Sequence, residues 1–235
     1  MFQFFKTQIY SPVLDLLFPK YCIACEQLIS TEAGLLCLSC KHSLPYTEME
    51  KMSENAAQIR MLTRLPVKFA ASLLYFIDSG QVRAMLHKLK YQNRPEVGVY
   101  LGTLLAQKFA AQDWFRSIDA IVPIPLHPAK KAKRGYNQSE CIAEGIAHYS
   151  GKPVIRNAVI RTRNTSSQTD KNRKERADNV ANAFRLRRRK QIEGKHILLV
   201  DDVLTTGATL ASCGSSILDE ADCTLSIATV AIAYH

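Results

Sequence analysis

The sequence predicts an α/β protein, with a mostly parallel sheet flanked by helices and a small four-cysteine module in front of it. Three observations predict this. His196 to Val200 (HILLV) is a continuous apolar run, the pattern of a strand buried on both faces of a parallel sheet. From Asp119 onward, short apolar runs alternate with helical patterns, the rhythm of strand–helix–strand units. Near the N-terminus, Cys22-x2-Cys25 and Cys37-x2-Cys40 form two tight pairs separated by eleven residues.

The elements follow in order. Phe2, Phe5, Ile9, Val13, Leu16 and Leu17 recur at roughly helical spacing, which predicts a helix packed on the body. The cysteine pairs sit within residues 20–46. Residues 47–65 are polar and low in core residues, and read as a linker helix or loop. Lys68 to Ile77 reads as a strand, ended by Asp78-Ser79-Gly80. Val82, Met85, Leu86 and Leu89 mark one helix; Val99, Leu101, Leu104, Leu105 and Phe109 mark the next. Ala120-Ile121-Val122 is a short strand that runs into Pro123-Ile124-Pro125 and so feeds a loop, Pro123 to Arg134. Asn137 to Tyr149 is a helix with Ile142 and Ile146 on one face. Gly151-Lys152-Pro153 ends it, and a short strand at Val154-Ile155 follows. Thr162 to Glu175 is almost wholly polar and reads as a long loop or hood, a length that compact domains usually keep for function. Phe184 and Leu186 mark a strand, Thr209 to Leu218 a helix, and Thr224 to Ala233 a last strand. The chain thus divides into a helix and four-cysteine module (1–47), a linker (48–66) and an α/β domain (67–235).

The 235 residues suit one ordinary domain plus a small one, and 47% hydrophobic content argues against disorder. No apolar run approaches the ~18 residues of a membrane span. The first residues lack a charged n-region and a small-residue cleavage site, so no signal peptide is expected. Seven cysteines, three of them isolated, point to a reducing compartment, the cytoplasm by default. The net charge of +10 is unevenly placed: residues 130–195 hold 18 basic and 6 acidic side chains, a balance of +12. Such a segment attracts phosphate, on a nucleotide, a sugar or a nucleic acid. A solvated basic surface is the plainer reading.

A CxxC knuckle offers two thiolates from one tight turn, and two knuckles complete a tetrahedral Zn²⁺ site. Cys22, Cys25, Cys37 and Cys40 are therefore the predicted ligands. A redox-active pair is the alternative, but no strand–helix–strand unit surrounds these cysteines. Four thiolates close the coordination sphere, so the metal is structural, and it supplies folding free energy to a module with little core of its own.

The stretch Ile197 to Thr209 (ILLVDDVLTTGAT) concentrates the remaining chemistry. A buried strand delivers Asp201 and Asp202 to the carboxyl end of the sheet, where α/β proteins bind ligands. Thr205, Thr206, Gly207, Ala208 and Thr209 then turn into a helix. Gly207 lets the backbone approach closely, and hydroxyls with free N–H groups at a helix start suit a phosphate. The carboxylates cannot favour phosphate. They suit hydroxyl donors, such as those of a ribose. Lys131, Lys133 and Arg134 in the loop after the first core strand are candidate phosphate contacts, Arg134 foremost because a planar fork matches phosphate. In the hood, Arg161, Arg163, Gln168, Arg173 and Arg176 are further candidate phosphate contacts, with Arg163 and Arg176 preferred.

That stretch resembles the phosphoribosyl diphosphate motif of type I phosphoribosyltransferases. The resemblance implies that the paired acids hold the ribose hydroxyls and the Thr205–Thr209 loop the 5′-phosphate. The likeness extends further. The cysteine pairs, Leu89-Lys90-Tyr91, Val122 to His127, Arg134 to Gln138, Asn179-Val180 and Ala183-Phe184 are similar to the competence protein F family over nearly the whole chain. One departure is Asp170-Lys171, where the likeness leads one to expect an apolar residue after Gln168. The family implies a role in natural transformation, with phosphoribosyl diphosphate, Mg²⁺, single-stranded DNA and other DNA-uptake or recombination proteins as partners. A phosphoribosyltransferase acting on a nucleobase or other small acceptor is the alternative. Few aromatics lie in the basic segment, which weakens a base-stacking reading.

Overall fold

The computed structural model describes residues 19–30, 34–78, 80–162 and 183–233. The expected N-terminal helix, Ser79 and nearly all of the polar hood lie outside them. Lys20–Tyr21 (β1) and Leu28–Ile29 (β2) pair antiparallel, and a short helix, Leu38–His42 (α1), follows. Ala56–Leu62 is α2 and Phe69–Phe76 is β3. Helices Gln81–Tyr91 (α3), Pro95–Phe109 (α4) and Asp113–Arg116 (α5) lead to β4, Ala120–Pro123. Pro128–Arg134 is α6 and Gln138–Ser150 is α7. Val159–Arg161 (β5) and Phe184–Leu186 (β6) pair antiparallel. Arg189–Ile192 (α8), His196–Leu204 (β7), Ala208–Leu218 (α9) and Thr224–Ala233 (β8) complete the chain.

The central sheet has the order β3-β8-β7-β4, and all three of its pairings are parallel. β7 and β8 lie in the middle. Every residue of β7 from His196 to Val200 is buried, as expected of a strand covered on both faces. Both sheet edges are capped by short backbone pairings. Tyr46 bridges antiparallel to Leu74 on the β3 edge, and Val154 bridges parallel to Ile121 on the β4 edge. The expected strand at Val154-Ile155 is reduced to that one bridge.

Two helices pack backbone to backbone. A Cβ on Gly102 in α4 would stand 2.0 Å from the Ile142 carbonyl oxygen of α7, and one on Gly145 in α7 would stand 2.0 Å from that of Val99. Only residues without side chains allow this approach. Thr103 completes it, its hydroxyl donating to the Val99 carbonyl at 3.0 Å and the Gly145 carbonyl at 3.2 Å. The pair holds α7, and with it the residues at its N-terminus, firmly beside the sheet.

Two segments differ from the sequence expectation. The loop expected over Pro123 to Arg134 contains α6, which buries no residue and so shows no apolar periodicity. The segment expected to be a low-core linker is packed. Thr47, Asn55, Gln58, Met61 and Leu65 are all buried. The polar members are satisfied: Thr47 donates to the Ser72 carbonyl, and the Asn55 side chain caps α2 by accepting from Gln58 N–H at 2.9 Å. No helix among the described residues is long and apolar enough to cross a membrane.

Candidate functional site

The cysteine pairs meet as expected. In the first knuckle, Cys22 N–H donates to the Gln27 carbonyl at 2.8 Å and Glu26 N–H to the Cys22 carbonyl at 3.0 Å. In the second, Cys37 caps α1 and its sulfur accepts from Cys40 N–H at 3.3 Å. The four Sγ atoms lie within 4.8 Å of one another, and Cys25 and Cys37 Sγ are 3.8 Å apart. Tetrahedral coordination at ~2.3 Å places sulfurs about 3.8 Å apart, so the donor set fits a Zn²⁺ ion. All four thiols are free. Burial opposes the thiolate at Cys22, but the N–H groups of Cys25, Cys37 and Ala24 outweigh it and bring its pKa down to about 6. The module is tied to α3, where Lys88 pairs with Glu26 at 2.8 Å and Gln81 reaches Ser43 at 3.0 Å.

The second constellation stands at the carboxyl end of the sheet. A cavity of about 230 Å³ is lined there by Lys90, Tyr91, Lys130, Arg134, Arg161 and Thr209, together with both carboxylates, Asp201 and Asp202. These eight residues come from five pieces of chain: the end of α3, α6, the end of β5, β7 and the start of α9. Asn137 to Ser139, at the start of α7, complete the wall with Ile124 to Leu126 after β4. The Asn137 side chain donates to the Ile124 carbonyl at 2.9 Å, fixing the loop after β4 against the helix that follows it.

Successive β7 residues point to opposite faces, so the two carboxylates have different partners. Asp201 Oδ1 accepts from Ser139 Oγ at 2.8 Å and from Asp202 N–H at 2.9 Å. Burial, then the neighbouring Asp202 charge, pushes the Asp201 carboxyl up to about 7, against the pull of those hydrogen bonds and of Lys90. Asp202 pairs with Lys90, Nζ to Oδ2 at 2.8 Å. A cation therefore holds one oxygen of Asp202 and leaves its carboxylate oriented.

Beyond β7 the backbone turns at Gly207, which caps α9 in the left-handed region at φ 79°. Thr205 and Thr206 are exposed, and the Thr206 hydroxyl accepts from Ala208 N–H at 3.4 Å. The N-terminus of the eleven-residue α9 thus opens beside the carboxylates. Arg134 sits 5.6 Å from the Tyr91 ring centroid and donates to Gln138 Oε1, two contacts that fix its fork at the cavity wall. Burial, then Arg161 and Arg134, lowers the Lys130 pKa; these three cations line the cavity together with Lys90, which is paired to Asp202.

Among the expected contacts, Asp201, Asp202, Arg134, Arg161 and Thr209 line one cavity. Thr205, Thr206, Gly207 and Ala208 form the turn into α9. Lys133 is exposed and is not in the wall. Lys131 pairs with Glu140 at 3.0 Å. Arg163, Gln168, Arg173 and Arg176 lie outside the described residues. Sequence reasoning overlooked Lys130, the roles of Lys90 and Tyr91, and Ser139. Ser139 signalled itself only by lying just inside a helix cap, and Lys90-Tyr91, at a helix end, entered only as part of the family resemblance.

Residues 95–235, which hold β4, β7 and β8 of the sheet and every lining residue of the cavity except Lys90 and Tyr91, match the phosphoribosyl transferase domain family. Among curated proteins, the chain is 32% identical over 146 residues to the DNA utilization protein YhgH of Salmonella typhi, a match covering 61% of this chain. It is 33% identical over 132 residues to competence protein F of Haemophilus influenzae, covering 54% of this chain and 57% of that one. Competence protein ComFC of Bacillus subtilis is 33% identical over 100 residues, covering 43% of this chain and 38% of that one. The chain spans 63% of the length of the Salmonella relative. The profile covers more than half of the sequence, and the chain belongs to the phosphoribosyl transferase domain family.

Proposed function

We propose that this protein binds the magnesium complex of phosphoribosyl diphosphate in the cavity at the end of β7, and works in the cytoplasm on incoming single-stranded DNA during natural transformation. One observation carries the ligand: two carboxylates stand in a wall with Thr209 at a helix N-terminus, facing Lys130, Arg134 and Arg161. Asp201 and Asp202 accept from ribose hydroxyls. The Thr205–Thr209 turn takes the 5′-phosphate on backbone N–H groups and hydroxyls. The three cations take the diphosphate. Arg163 and Arg176 join them in this reading. Mg²⁺ neutralises diphosphate charge and is held mainly by the ligand's oxygens and water, which fits a pair of acids already committed to Ser139 and Lys90. The DNA role is supported by the names of the relatives and by the +12 segment. Zn²⁺ on the four cysteines is structural in this reading.

A second reading is transfer of the phosphoribosyl group to a small planar acceptor. The Tyr91 ring favours it, because it stands at the cavity wall yet is 70% exposed, a surface on which a base can stack. In that case the residues act by positioning and by stabilising a departing diphosphate. Diphosphate release from the magnesium complex distinguishes the two. Release that needs a nucleobase supports the second. Binding without release, or release tied to single-stranded DNA, supports the first. No binding at all would sink both.

A further inference from the structure

Helix α2 lies outside the region that matches the phosphoribosyl transferase domain. It nevertheless reaches the turn after β7. Arg60 Nη1 donates to the Thr205 carbonyl at 2.7 Å, to the Ala233 carbonyl at 3.0 Å and, more weakly, to the Leu204 carbonyl at 3.4 Å. The end of β7, the turn and the end of β8 therefore converge on one guanidinium. The next residues of the same segment support the same turn. A Cβ on Gly207 would come 2.9 Å from Met61 Sδ, and one on Gly214 in α9 would come 2.2 Å from Leu65 Cδ2. The helix is itself pinned to the sheet, because Gln58 Oε1 accepts from Ala70 N–H in β3.

A trans peptide points its C=O and N–H in opposite directions. Holding the Leu204 and Thr205 carbonyls on Arg60 turns the N–H groups of Thr205 and Thr206 to the far side of the turn from α2. Lone carbonyls at this point would leave the peptide planes free to rotate, and a backbone phosphate cradle depends on those planes being set before the ligand arrives. We propose that Arg60 is a positioning residue for the 5′-phosphate, acting through the backbone of residues 204–206 without touching the ligand. This rests on reading the Thr205–Thr209 turn as the phosphate cradle.

The test uses the full chain carrying Arg60→Gln or Arg60→Lys, titrated calorimetrically with ribose 5-phosphate and separately with magnesium pyrophosphate. Ribose 5-phosphate reports the cradle; pyrophosphate reports the Lys130, Arg134 and Arg161 wall. Both variants should lose roughly tenfold or more in affinity for ribose 5-phosphate, the worth of one or two charge-assisted hydrogen bonds, and keep wild-type affinity for pyrophosphate. Lysine keeps the charge but not the fork, so a loss in Arg60→Lys separates orientation from simple attraction. That variant also carries the test if Arg60→Gln fails to fold. Equal losses for both ligands would mark general destabilisation and overturn the proposal, as would unchanged ribose 5-phosphate binding in both variants. If wild type binds pyrophosphate but not ribose 5-phosphate, the cradle reading itself falls, and this proposal with it.

Discussion

Asp201 shows most clearly how the fold sets chemistry at one side chain. Its carboxyl is held near 7 by burial and by Asp202, while Ser139, a backbone N–H and Lys90 pull the other way. Arg161, itself largely desolvated, feels the Asp201 charge, as does the buried thiol of Cys213. An unfolded aspartate titrates near ~3.9, so the folded state holds the proton more tightly. The stability this provides is fully present below about pH 4 and is lost as the pH rises to about 7. Thermal unfolding between those limits should show that decline, and Asp201→Asn should remove much of it. An ionised carboxylate accepts from hydroxyls more strongly than a neutral carboxyl, so ribose 5-phosphate should bind more tightly at about pH 8 than at pH 6, with proton release. The phosphate also titrates near ~6, and Asp201→Asn isolates its share. An Asp201→Asn profile identical to wild type would show that this carboxyl carries neither effect. The pair itself was legible, because two acids at the end of an apolar strand are conspicuous. Lys90 was not, since a lysine at the end of an amphipathic helix looks like solvated surface until the helix is docked.

At the scale of elements, what could be read depended on whether an element announces itself by apolar periodicity. β7, α9, α4 and α7 do. Helix α6 buries nothing, so only its proline start and its glycine end mark it. The 47–65 segment misled for the opposite reason: its buried Thr47, Asn55 and Gln58 are polar but bonded, so composition hides a packed brace. The α4–α7 contact gives a test of packing. Gly145→Ala would drive a methyl into the Val99 carbonyl, and the helices must separate. A loss of about 1–3 kcal/mol is expected, seen as a fall of several degrees in melting temperature. An unchanged melting temperature would mean the helices are not so close. In the cysteine module, protein purified without added metal should carry one Zn²⁺ per chain by elemental analysis. Cys22→Ser should lose the metal and loosen the module around the buried Ile23 and Leu36. Metal-free protein with all four thiols reactive would refute this.

For the whole molecule, the charge distribution separates two surfaces. The cavity cations sit at the sheet's carboxyl end, whereas Arg185, Arg187, Arg188, Arg189 and Lys190 are exposed along β6, α8 and the link between them. Single-stranded DNA should bind without strong sequence preference, and its log affinity should fall by roughly 0.7 per phosphate contact per log unit of salt. Changing Arg187, Arg188, Arg189 and Lys190 to Gln should weaken that binding and flatten the slope, with sugar-phosphate binding intact. An unchanged slope would remove this tract as a DNA contact. The central claim, the sugar-phosphate site at the end of β7, is tested most directly by calorimetry. Magnesium phosphoribosyl diphosphate should bind wild type saturably with one site per chain. Asp202→Asn combined with Thr206→Ala should abolish it while the four-cysteine module keeps its zinc. Absence of saturable binding by wild type at millimolar ligand would contradict the account.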